Sequence, residues 1–249
     1  MSDEQAPNWR SLARAAKTDT PAWDLWASLR RALSINNYED AIVALLALAT
    51  VEGVHTHNPH TGLAFLDLAL AIANKTSSPV KVEIQYHRST LLSASGDLAG
   101  AYLALDDALA SAKAAGDLKS IARLANLRLA LKLAGAQLEG SFLAEAREVV
   151  RAYAEAHDVN GQLGAMVASA ALGAQAYPSE ALSLLDQAEA FLNALDQGQV
   201  VAPPRSVLIR LPLSAGQAHE NPAGESALDS WRLYIRQLRE WIGKIRSTS

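Results

Sequence analysis

Apolar residues recur along most of this chain at intervals of three and four, the spacing that gathers them on one face of an α-helix. Thr20-Pro21 supplies an N-cap and a proline at the first helical position. The stripe Trp23, Trp26, Leu29 and Leu33 then predicts a helix that breaks at Asn36-Asn37. A second helix is expected from Tyr38 to about Gly53, on Ile42, Leu45, Leu46 and Ala49. Further helices are expected at about 60–74, 98–114, 117–134, 138–157, 159–175 and 178–195, each parted from its neighbour by a Gly, Asn or Pro signal. Ser78-Pro79 opens another that ends at Gly96, although its first half, Val80 to Tyr86, alternates as a strand would. A short helix is expected over 8–17. Connections this brief force sequential helices to run antiparallel.

A repeat runs through these helices. Ala64, Ala101, Ser141 and Ala181 align, and each is followed by a bulky residue: Phe65, Tyr102, Phe142, Leu182. Four positions on stand Leu68, Leu105, Glu145 and Leu185, and seven on stand Ala71, Ala108, Glu148 and Ala188. Three copies therefore read Ala-x3-Leu-x2-Ala, and the copy at Ser141 matches only at its start. A small residue where two helices cross and a large one a turn later is what close hairpin packing needs.

The pattern resembles the second helix of a tetratricopeptide (TPR-like) repeat over about residues 38–195. Gly96-Asp97-Leu98 looks like that family's turn, and Ala101, Leu105 and Ala108 like its small anchor, large residue and second alanine. The period is nearer 40 than 34 residues, as in long-period TPR-like repeats of bacterial signalling and transcription regulators. Gln85 and Arg88 stand at the family's first-helix tryptophan and leucine positions, and the closing proline is absent. The resemblance implies an all-α fold of antiparallel hairpins stacked as a right-handed solenoid, with first helices lining a concave groove. Carried back from Ala101 and Ser141, it places Glu83, Tyr86, His87, Arg123 and Asn126 on or near that groove. It implies a protein or peptide partner there, since Arg offers a forked donor set and Asn pairs with amides. Leu163, Met166 and Ala170 would add an apolar stretch, and Gly161, Gly164 and Gly173 would permit close packing.

The five tryptophans, at 9, 23, 26, 231 and 241, fall outside the repeats, where a solenoid needs large side chains to cover its ends. Organisation follows: capping helices and an arm over 1–37, repeats over 38–195, a linker over 196–225 and a last helix over 226–249. Pro203-Pro204, Pro212, Asn221-Pro222 and several glycines exclude a helix from the linker. Within it, Val207 to Leu213 is apolar and extended in character, and is expected to pack on the solenoid and shield the groove. The last helix carries Trp231, Tyr234, Ile235, Leu238, Trp241, Ile242 and Ile245 on one stripe, with Arg232, Arg236, Arg239, Lys244 and Arg246 opposite. Burial as a cap is the first expectation for that stripe. A homodimer interface comes next, and a membrane surface last.

Composition narrows the chemistry. Half of the 249 residues are hydrophobic, with Ala and Leu dominant, which favours helices. Net charge is −4 with no basic excess, against direct nucleic-acid binding. There is no cysteine, which removes disulfides, Cys-based zinc sites and thiol catalysis and suits a cytoplasmic location. No leader pattern opens the chain, and the most apolar run, 41–51, is too short to span a bilayer. No nucleophile elbow, phosphate loop or dinucleotide fingerprint occurs, so neither an enzyme nor a cofactor is expected. His55, His57 and His60 form the one metal-like grouping. Glu52 is the only acid beside them, and a metal-assisted enzyme built there is the minor alternative. A self-assembling structural subunit is the other.

Overall fold

The computed structural model describes residues 22–55, 57–76, 80–135, 141–195 and 227–248, and every regular element in them is helical. The expected helix over 8–17, the Thr20-Pro21 cap and the Val207–Leu213 segment lie outside the described residues. The chain divides into two compact units, Met1–Gly116 and Asp117–Ser249. Within each, consecutive helices pack against one another.

The first unit contains α1 (Ala22–Ser34), α2 (Tyr38–Thr50), a π-helical turn (Val51–His55), α3 (Pro59–Thr76), α4 (Lys81–Ala94) and α5 (Leu98–Ala114). Its core is centred on α2, which buries eight residues, Ala41, Ile42 and Ala44 through Ala49. Around it close Leu25 and Leu29 of α1, Leu66 and Ala69 of α3, and Ile84 and Leu91 of α4. The second unit contains α6 (Leu118–Ala134), α7 (Phe142–Glu155), α8 (Val159–Gly173), α9 (Pro178–Asn193) and α10 (Ala227–Thr248). Its core joins Phe142, Val149, Leu163, Val167, Leu184 and Leu185 to Trp231, Tyr234, Ile235, Leu238 and Ile242 of α10. The strand-like alternation at Val80–Tyr86 is overridden, because α4 buries Ile84, Gln85, Ser89 and Leu91, a helical rather than an alternating set.

One local device recurs four times. At Ile35-Asn36-Asn37, Ser95-Gly96-Asp97, Ala115-Gly116-Asp117 and Ala156-His157-Asp158, three residues end one helix and start the next. The middle residue is left-handed each time, with φ of 55°, 89°, 65° and 52°. Glycine carries no Cβ penalty there, and asparagine tolerates the region best among the rest. The third residue is an N-cap whose side chain accepts the N–H three residues on, from Asp40, Gly100, Ser120 and Gly161. At Asp97 and Asp158 the same residue's own N–H returns to Leu92 and Tyr153, satisfying a carbonyl of the helix just ended. Both helix ends are therefore closed within three residues.

Asp117 shows what such a cap contributes. It accepts the Ser120 N–H at 3.1 Å and the Ser120 hydroxyl at 2.6 Å. The hydroxyl bond foremost, then the amide bond, hold its carboxyl below the usual carboxylate range, with Arg123 assisting from a distance. The folded state thus binds that proton less readily than the unfolded chain does. Its contribution is complete above the ordinary carboxylate range and is lost as pH falls through the depressed one. Asp117→Ala is expected to cost about 0.5–2 kcal/mol at neutral pH. The difference in melting temperature between the two proteins should close as pH falls through the Asp117 titration. Asp117→Asn keeps the cap and should lack that dependence.

The structure corrects the register of three helices. On α3 the residues aligned as anchor and stripe, Ala64, Leu68 and Ala71, face outward, and Leu68 is 47% exposed. The buried set is Gly62, Leu66, Ala69 and Ala73. On α7 the anchor is Phe142 rather than Ser141, followed by Ala146, Val149 and Tyr153. Those sets superpose on Ala101, Leu105, Ala108, Ala112 of α5 and Ala181, Leu185, Ala188, Leu192 of α9, all buried. All four helices bury the same positions of the register, although α7 carries Phe, Ala and Val where α5 and α9 carry Ala, Leu and Ala. The third is α1, where Leu25, Leu29 and Ala32 are buried while Trp23 and Trp26 stand 67% and 45% exposed. A helix rich in Ala and Leu carries two stripes of similar hydrophobicity, and the neighbouring helix decides which one turns inward.

Candidate functional site

The five residues expected to line a groove fall in both units. Glu83, Tyr86 and His87 stand together on α4, spaced i, i+3 and i+4 and therefore on one face. His87 Nε2 lies 3.2 Å from Glu83 Oε1, and their side chains keep 19% and 15% of their surface exposed. The Tyr86 ring meets the His87 ring edge to face at 5.4 Å. Half-buried, paired and partly open to water, this trio can offer a carboxylate, an imidazole and a phenol to a ligand.

Packing brings α2 to the same place. Ala49 and Thr50 of α2 join His87, Thr90 and Leu91 of α4 around a shallow depression about the size of one water molecule. Both threonine hydroxyls donate to backbone, Thr50 to Leu46 O at 2.9 Å and Thr90 to Tyr86 O at 3.0 Å. Each hydroxyl oxygen keeps acceptor capacity. Leu91 is wedged against Gly53 of the π-helical turn and Gly62 of α3, where any Cβ would overlap its side chain. A Cβ at Gly62 would also stand 3.0 Å from the backbone of Ala49 and of Gly53. This closeness sets how far α3 stands from the end of α2. Thr50, Thr90 and Leu91 carried no signal in the sequence, because only tertiary packing gathers them.

The α4 helix is fixed by polar ties at the two positions where the TPR-like pattern has apolar residues. Gln85 is buried and its amide donates to Asp107 Oδ2 of α5 at 3.3 Å. Arg88 pairs with Asp67 of α3 at 2.9 Å. Ser89, fully buried, donates to the Ala101 carbonyl at 2.8 Å.

In the second unit Arg123 and Asn126 are one turn apart on α6, both half-buried. The Asn126 side-chain oxygen is buried and has no hydrogen-bond partner among the described residues. Leu163, Met166 and Ala170 of α8, expected as groove lining, are buried core instead. Gly161 and Gly173 bear out close packing, since a Cβ at either would overlap the Tyr153 or Phe142 ring. Gly164 does not, having nothing within 4 Å of such a Cβ.

Of the loop histidines, His57 and His60 are exposed, and the side chain of His55 lies outside the described residues. Among the described residues no three metal-ligating side chains converge, and no helix is long and apolar enough to cross a membrane. No protein-family model matches this chain, and a search of curated proteins finds none similar to it.

Proposed function

We propose that this chain is a non-enzymatic TPR-like helical-repeat module that binds a protein or peptide, in the cytoplasm and in a regulatory role. Its hairpins would form a right-handed solenoid closed at its C-terminal end by α10. The observation that carries the reading is the buried register shared by α3, α5, α7 and α9, at Gly62, Ala101, Phe142 and Ala181, 39, 41 and 39 residues apart. Stacked hairpins repeat one register at a nearly constant period, and such folds use an extended face for binding. The polar trio on α4 supplies hydrogen-bonding groups of the kind a peptide backbone and its termini require, and Arg123 and Asn126 on α6 supply others in the second unit. Fold carries this argument by analogy, and the side chains make it testable.

The test is selection of a displayed peptide library on the full-length protein, followed by calorimetry of the enriched peptide. Glu83→Gln/His87→Ala or Arg123→Glu/Asn126→Ala is expected to weaken binding at least tenfold, about 1.4 kcal/mol. Arg236→Ala, on the outer face of α10, should leave it unchanged. Failure to enrich any peptide, or binding indifferent to both double variants, overturns the proposal.

A further inference from the structure

The helix α1 has two distinct faces. Leu25, Leu29 and Ala32 turn inward onto the core of the first unit. Trp23, Trp26, Ala27, Arg30 and Leu33, spaced i, i+3, i+4, i+7 and i+10, share another side, and all five are exposed. The tryptophans are exposed by 67% and 45% and Leu33 by 43%. Single exposed apolar residues are ordinary, but two tryptophans and a leucine on one helical stripe mark a contact surface. Trp26 is held in place as well. Its ring meets Phe65 of α3 edge to face at 5.3 Å, so it can take a further contact with little ordering to lose. The apolar stripe of α10, the other candidate for contact between copies, is taken up within its own unit, with Trp231, Tyr234, Ile235, Leu238 and Ile242 all buried.

The order of residues along the α1 stripe identifies what fits it. Read in reverse about Ser28, position 23 falls opposite 33 and position 26 opposite 30. A copy of α1 laid antiparallel on this face therefore sets Trp23 against Leu33 of the second copy and Trp26 against Arg30 of the second copy. The first is an aromatic–aliphatic contact. The second places a guanidinium over an indole, the most favourable ring for a cation. Two-fold symmetry makes each contact twice. A parallel pairing would instead set Arg30 against Arg30. Ala27, next to the centre, is small enough to let the two backbones approach. A whole aromatic side chain carries about 150–250 Å². On that scale the exposed parts of the five residues come to on the order of 500 Å² per chain, and a symmetric pair buries on the order of 1,000 Å², the lower bound for a specific and transient interface.

We infer that two copies of this chain pair through α1, antiparallel about a two-fold axis at Ser28, burying Trp23, Trp26 and Leu33. None of these residues belongs to the α4 site, so the pairing stands or falls separately from peptide binding.

Sedimentation of the full-length protein from about 1 to 200 µM is expected to show a monomer–dimer equilibrium. Trp23→Glu should weaken it at least tenfold and Arg30→Ala about two- to fivefold. Both variants should keep the parent's melting temperature at the lowest concentration, because the replaced side chains are exposed. The chain contains no cysteine, so the orientation can be read by cross-linking. Trp23→Cys/Leu33→Cys is expected to form disulfides between copies at the highest concentration. Neither single variant should, since ten positions hold like residues about 15 Å apart along the antiparallel pair. A protein still monomeric at about 200 µM, or a dimer indifferent to Trp23→Glu and Arg30→Ala, would overturn the inference. So would a double variant that cross-links no better than the single ones. A lower melting temperature for Trp23→Glu would also overturn it, by placing this face inside the chain's own fold.

Discussion

Phe142→Ala is expected to destabilise the second unit by about 3–5 kcal/mol, the range for removing a fully buried aromatic ring. The ring stacks on Tyr177 with centroids 5.3 Å apart and planes 10° from parallel, and it lies against Gly173, where a Cβ would overlap it. Gly173→Ala alone should therefore also destabilise, by about 1–3 kcal/mol, because the overlap outweighs the helical preference for alanine. In the Phe142→Ala background the overlap is gone and only the preference remains. The same substitution should then be neutral or stabilise by up to about 1 kcal/mol. Chemical denaturation of the four proteins measures this coupling directly. A Gly173→Ala variant as stable as the parent would show that the α7–α8 approach is not set by the glycine.

Leu66→Ala should cost about 2–5 kcal/mol, and Leu68→Ala less than about 0.5 kcal/mol. The two residues are separated by one position and are chemically identical, so propensity and composition cancel between them. Leu66 is fully buried between α2 and α4, whereas Leu68 is 47% exposed. A difference of several kcal/mol in urea midpoints at constant m-value would fix the repeat register at Gly62, Leu66 and Ala69. Equal losses would restore the register at Ala64, Leu68 and Ala71 and remove the constant spacing on which the binding proposal rests.

Local features were read well from the sequence. Leu98–Ala114 falls where it was expected, and α6, α8 and α9 fall within about two residues of it, because their limits are marked by residues that act at short range. Asp97, Asp117 and Asp158 each close a helix through a bond three residues away. The stripe of α10 was legible too: Trp231, Tyr234, Ile235, Leu238 and Ile242 are all buried, since no competing apolar face exists on a helix so rich in arginine. The candidate site was legible in part. Glu83, Tyr86 and His87 share a face because one helix carries them. The neighbouring α2 residues Ala49 and Thr50, 38 and 37 positions before His87, could not be assigned to that face by spacing.

By itself, then, the sequence determined that this protein is helical, where most helices begin and end, and which turns reverse the chain. These outcomes depend on hydrogen bonds and backbone preferences within four or five residues. Tertiary structure decided which side of α1 and α3 turns inward, that Leu163 and Met166 belong to the core, and that Thr50 stands beside His87. Those outcomes depend on which of two nearly equal apolar faces meets a partner of complementary shape. That contact is made between residues far apart in the chain, where periodicity carries no information.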